Sequence, residues 1–149
     1  MREIPLTKGR SAVVDDEDYA ALAGLKWRAF ECKSGGKWYA MCGGTYMHRM
    51  IMRAPAGTPV DHINRNGLDN RRCNLRLCSP SQNQANRIVP RSKKYRGVEK
   101  KGDKFVAVVK FAGRRYRRGP FDVAARAALA YDWMARQIHG EFAVLNFQV

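Results

Sequence analysis

The sequence predicts an α+β chain in two modules, and three observations carry that reading. Short apolar and aromatic runs flanked by turn residues recur as far as Leu77, as strands do. A polar, Asn-rich stretch then gives way to a helix start at Ser79. Beyond a Pro-containing basic linker at 88–94, the alternating run "KFVAVVKF" precedes a long amphipathic pattern, so strands come first and a helix last.

The elements follow in order. "IPLT" predicts a short strand, and Asp15 or Asp16 predicts the cap of a helix through "EDYAALAG" that Gly24 ends. "KWRAFEC" and "KWYAMC" predict a hairpin about the turn "KSGG". "YMHRMIM" fits either a helix, with Met47, Met50 and Ile51 at helical spacing, or a strand entering a short helix. "RAPAGTP" breaks any regular element. In "VDHINRNGLDNRRCNLRLC" the apolar residues Val60, Ile63, Leu68, Leu75 and Leu77 punctuate turn residues, which predicts two short strands around a loop. "SPSQNQANR" then starts a helix in which Ser79 caps, Pro80 takes the first helical position and Gln82 completes a capping box.

The linker sets the module boundary, 1–90 and 91–149. Between Arg91 and Arg118 there are twelve Lys and Arg against Glu99 and Asp103, a net of +10. Phe105, Ala107, Val109 and Phe111 alternate onto one strand face, and Lys104, Val106, Val108 and Lys110 onto the other. "RRYRRGPF" predicts a further strand. Asp122 predicts the cap of a helix that ends near Gly140, with Val123, Ala127, Tyr131, Met134 and Ile138 as its apolar stripe. There is no internal repeat and no low-complexity tract.

The formal net charge of +15 predicts a polyanionic partner, with nucleic acid ahead of a membrane surface because the basic residues do not lie along one amphipathic helix. No run approaches the ~18 apolar residues of a membrane span, and the first residues lack the apolar core of a secretion signal, so the expected location is the cytoplasm. Cys32, Cys42, Cys73 and Cys78 lack the close pairing of a structural zinc knuckle and read as ordinary thiols.

Asp61 and His62 are adjacent, Asn74 follows in the same stretch, and Asn83 lies on the new helix one turn ahead of Arg87. A hard divalent cation takes oxygen ligands, which a carboxylate and a side-chain amide supply while water and phosphate complete the shell. A neutral imidazole beside it takes a proton from the attacking water. Arg72, Arg76 and Arg87 are candidates for phosphate contact, while His48 and His139 read as structural.

"VDHINRNGLDNRRCNLRLCSPSQNQANR", with "MHRMIM" upstream, resembles the core of the HNH endonucleases of phage and intron-encoded homing type. The resemblance implies a ββα-metal unit holding one divalent ion, Mg2+ or Mn2+ or another. It implies Asp61 and Asn83 as metal ligands, His62 as general base and Asn74 as the brace of the loop that holds His62. Many members carry His where Asn83 stands, so the chain is similar to the H-N-N variant. The tail resembles the plant Apetala or ethylene-response-factor DNA-binding domain in "YRGV", in Gly119 to Asp122, in "AALAYD" and in "LNF". That likeness implies a three-stranded antiparallel sheet packed on one helix and laid in the major groove. Arg96, Lys104, Lys110, Arg115 and Arg117 are then the DNA contacts, with Arg87 beside the nuclease module, and Val106 or Val108 touches thymine methyls.

The function expected is a site-selective, metal-dependent endonuclease acting on double-stranded DNA in a bacterial or phage-infected cell, as a monomer or homodimer. A non-catalytic DNA-binding regulator on the same scaffold is the alternative, and a zinc-stabilised RNA-binding protein a third.

Overall fold

A computed structural model describes residues 1–32, 36–86 and 94–147. The fold is α+β, and its elements cluster into two compact units, Met1–Ser79 and Pro80–Val149.

In the first unit β1 (Arg2–Pro5) pairs antiparallel with β2 (Ser11–Val14). The second of these strands is not foreseen in the sequence, where "SAVV" is short and follows a charged turn. Helix α1 (Asp16–Ala23) follows, and Gly24 closes it as expected. Asp15 stands at its N-cap position but makes no side-chain cap bond, because its carboxylate accepts the Arg72 backbone N–H at 2.7 Å instead. The expected hairpin is β3 (Arg28–Glu31) against β4 (Trp38–Cys42), with Phe30 opposite Tyr39; residues 33–35 of its turn lie outside the described residues. The ambiguity at "YMHRMIM" resolves to a strand entering a short helix, β5 (Thr45–Tyr46) and α2 (Met47–Ile51).

The core of this unit gathers Ile4, Ala12, Val14, Leu22, Trp27, Ala40, Met47, Ile51, Val60 and Leu75. Trp27 buries its ring and donates from Nε1 to the Leu22 carbonyl at 2.9 Å, which satisfies its one polar atom. On this floor stand β6 (Val60–His62) and β7 (Leu75–Leu77), antiparallel, with Asp61 opposite Arg76 and His62 opposite Leu75. Ile63 falls outside the strand and is exposed.

Helix α3 (Pro80–Ala85) clusters with the second unit, ahead of the 90/91 boundary read from the sequence. The physical reason is local: it packs against the 3-10 turn Gly140–Phe142, and the Arg96 guanidinium donates to the Ala85 carbonyl at 2.7 Å. Of the expected linker 88–94, only Lys94 is among the described residues.

The rest of that unit is an antiparallel sheet of β8 (Val98–Lys101), β9 (Lys104–Phe111) and β10 (Arg114–Phe121), with β9 in the middle, covered on one face by α4 (Ala124–His139). Ala107 and Val109 meet Tyr131, Met134 and Ala135 in its core. Gly97 has φ +67°, and the ring of Tyr131 occupies the place of the side chain that any other residue would carry there.

Two sequence expectations are corrected. Asp122 does not cap α4: Val123 holds the N-cap position, while the Asp122 carboxylate pairs with Lys104. Val123 is exposed, so the apolar stripe begins at Ala127. At the other end Asp132 accepts from the backbone and side-chain nitrogens of Asn146 and from Phe147 N at 2.8–3.0 Å, tying "AYD" to "LNF".

Candidate functional site

The β6–β7 connection is a lattice of Asn and Asp bonds. Asn74 Oδ1 accepts from Asn64 N at 2.9 Å, and Asn74 Nδ2 donates to the Asp69 carbonyl at 2.7 Å and to Asn64 Oδ1 at 3.0 Å. Asn66 and Leu68 donate from their backbones to Asn64 and Asn66 side chains, the local bonding that makes Asn a turn residue. Asp69 accepts a two-pronged contact from Arg71 at 2.7 and 2.6 Å, and that bonding holds its carboxyl below the usual carboxylate range. Gly67 passes so close to the Trp38 carbonyl and the Tyr39 ring that an added Cβ would lie 2.4–2.6 Å from them.

This lattice places His62 at the end of β6 in a buried aromatic box. Its ring centroid is 4.9 Å from that of His48, nearly perpendicular, and 5.9 Å from Tyr39. Tyr46 stacks on the far side of His48 at 5.3 Å. Burial pushes the His62 imidazole below its ordinary pKa of 6.5, against the opposite pull of its contacts with Asn70, Asp61 and Asp69. The same burial, with the neighbouring His62 and Arg49, drives His48 down to about 3. Both rings are thus favoured in the neutral form, the state in which an imidazole accepts a proton.

Asp61 is buried on the same strand, and Arg76 donates to its Oδ2 from Nε and Nη2 at 3.0 and 2.9 Å. Arg72 is likewise paired, with Asp18 at 2.6–2.8 Å and with Glu17 at 2.9 Å. Asp61, His62 and Asn74 thus all lie on or beside the β6–β7 hairpin of the first unit. Asn83 lies half-buried on α3 in the second. Arg87 lies outside the described residues. Sequence reasoning missed Asn70, whose Oδ1 stands 3.4 Å from His62 Nε2; His48, read as structural, is buried against the His62 ring. The only sequence signal for Asn70 is its place in the same Asn-rich loop.

In the first unit the buried Asp61 carboxylate is the kind of oxygen donor a hard cation such as Mg2+ or Mn2+ takes, with water and phosphate to complete its shell. Among the described residues no group of three or more His, Cys, Asp or Glu side chains is placed to hold a metal ion.

In the second unit the register puts Lys110 beside Arg115 and Val108 beside Arg117 on the sheet face turned away from α4, with Glu99 beside Val106 on the same face. Lys104, Lys110, Arg115 and Arg117 are all exposed, and Arg115 is bridged to Glu99 at 2.6 Å. Val108 is buried whereas Val106 is half-exposed, so Val106 is the accessible valine of that face. Arg96 differs from the other basic candidates: its Nε donates to the Tyr131 hydroxyl at 2.7 Å and its Nη2 to Ala85, bonds that knit the unit together.

Residues 46–85, from β5 through α3, match the family model described as HNH endonuclease. The chain is also 32% identical over 146 residues to an uncharacterized HNH endonuclease of Acanthamoeba polyphaga mimivirus, covering 93% of this chain and 76% of that protein. No solved structure matches the chain. These likenesses show that the chain belongs to the HNH endonuclease family.

Proposed function

We propose that the chain is a metal-dependent, homing-type DNA endonuclease in which the first unit supplies His62, Asp61 and Asn74 to the hydrolysis and the sheet of the second binds the duplex. The observation that carries the reading is His62, a buried imidazole favoured in its neutral form, set beside the Asp61 carboxylate on one strand. Asp61 and Asn83 would hold a divalent cation, Mg2+ or Mn2+. Such a cation supplies Lewis-acid stabilisation of charge on the phosphate and on the departing 3′ oxygen. His62 takes a proton from water as its oxygen attacks the phosphorus in line, and Asn74 keeps the loop that carries His62 in shape.

The three-stranded sheet with its single helix supports the ethylene-response-factor-like reading of the second unit. Its face opposite α4 presents Lys104, Lys110, Arg115 and Arg117, and a strand-based face of this kind fits the major groove. Arg96 serves that face from behind by fixing Tyr131 and α3. Arg87 we assign to the DNA backbone.

Supercoiled plasmid incubated with the protein and Mg2+ or Mn2+, with and without chelator, tests the activity. Nicked or linear product that needs the cation is expected, and His62→Ala is expected to abolish it while DNA binding persists. Absence of product over several metals and diverse DNA sequences would favour a DNA-binding regulator that keeps the HNH scaffold.

A further inference from the structure

We propose that Asn70 is the positioning residue that decides which nitrogen of His62 carries the proton, an inference that rests on the reading of His62 as the base. Asn70 is fully buried, and its side-chain oxygen faces His62 Nε2 at 3.4 Å. An amide oxygen only accepts, so the imidazole is the donor there. The hydrogen sits on Nε2 and the basic lone pair on Nδ1. The contact is long for an N–H···O bond, as catalytic hydrogen bonds often are before substrate binds.

Two further observations separate this role from ordinary packing. Asn70 Nδ2 is buried with no hydrogen-bond partner among the described residues, a defect that an apolar residue of similar size would avoid. A side chain whose oxygen serves His62 while its nitrogen goes unsatisfied contributes orientation at the expense of stability.

The backbone of Asn70 is also pinned from outside the β6–β7 hairpin. Its N–H donates to the Val13 carbonyl at 2.7 Å, Val13 N–H donates to the Leu68 carbonyl at 2.8 Å, and Val13 bridges Asp69 in parallel fashion. Strand β2 therefore sets the height of the amide oxygen, while Tyr39 and His48 wall the ring it meets. Asn74 has a separate task, since its side chain is spent on Asn64 and the Asp69 carbonyl.

Long-range proton–nitrogen correlation spectra of the 15N-labelled, metal-free full chain read the tautomer directly, with His62→Ala identifying the His62 signals. The expected result is a protonated Nε2 and an unprotonated Nδ1. Asn70→Leu is expected to lose that preference, and Asn70→Asp, which still accepts at the same place, to keep it. A wild-type His62 protonated on Nδ1 overturns the proposal even if neither variant folds. In single-turnover plasmid nicking at saturating DNA, Asn70→Leu is expected to be slower by on the order of a hundredfold, and Asn70→Asp to recover about tenfold of it. Wild-type rates in Asn70→Leu overturn the kinetic half. A His62→Ala protein that still cuts DNA instead strikes down His62 as the base, and the tautomer measurement then stands or falls by itself.

Discussion

Asp61 and Arg76 face each other across the β6–β7 ladder, and both prongs of the guanidinium end on the same carboxylate oxygen. Their side chains are only 6% and 12% exposed, so the Asp61 charge is held largely out of water. Removing the cation leaves the carboxylate undercompensated. Arg76→Ala is expected to lower stability by ~2–3 kcal/mol, read as a lower urea midpoint. If Asp61 holds the metal, added Mg2+ then raises the melting temperature of Arg76→Ala more than that of the wild type, because the ion restores positive charge beside it. Equal shifts in the two proteins would remove Asp61 from the metal site.

The histidine box predicts acid sensitivity. His48 has its pKa lowered from 6.5 to about 3, chiefly by burial, then by His62 and Arg49. Above pH 6.5 the folded and unfolded chains both carry a neutral ring there, and stability is complete. As pH falls from about 6.5 toward 3 the unfolded chain takes a proton that the folded one refuses, and stability is lost. His48→Phe is expected to flatten the dependence of unfolding free energy on pH over this window. Part of the slope should remain, since burial also lowers the pKa of His62 and His139. A variant slope as steep as the wild type would exclude His48 as its source.

Gly97 permits the close approach of β8 to α4. A Cβ there would lie 2.0 Å from the Tyr131 ring and 2.8 Å from the Val108 carbonyl, on a backbone with φ +67°. Gly97→Ala is therefore expected to destabilise the second unit by about 3 kcal/mol or more. Trp133, the tryptophan of α4, provides the fluorescence signal, and an unchanged midpoint would mean that the sheet and helix yield easily at this point.

The basic sheet face predicts a salt signature. Lys110→Ala and Arg117→Ala are each expected to weaken duplex binding and to reduce the slope of log affinity against log salt by ~0.9. Arg115→Ala should cost less, because its guanidinium is already shared with Glu99. Anisotropy titrations over a salt series decide it, and unaltered slopes would place this face away from the phosphates.

Much of this was legible in the residues, for physical reasons that differ by element. The β3–β4 hairpin, the strand–loop–strand order around Asn74, and the β9 alternation follow from side-chain period and turn chemistry, which are local. Strand β2 was not, since four residues carry too little period and its strand partner, together with Leu68 and Asn70, decides its state. Asp122 resembles a cap in sequence, but Lys104 of the neighbouring strand takes its carboxylate. Arg96 sits in a basic run, yet the Tyr131 hydroxyl and the Ala85 carbonyl claim its guanidinium. Asn70 was hidden for the same reason: burial of a polar side chain against a distant imidazole is a tertiary fact, and an Asn in an Asn-rich loop looks like another turn residue.

The stitching of Val13 to Leu68 and Asn70 bears on the order in which the protein assembles during translation. The amide that meets His62 has no fixed place until the chain beyond it leaves the ribosome and closes back on a strand made much earlier. Closing such a ring costs entropy that grows only slowly with the intervening length, so the step is late without being prohibitive. The imidazole pocket is therefore completed by one closure event, and a nascent fragment that stops short of this loop carries β2 as an unmatched edge.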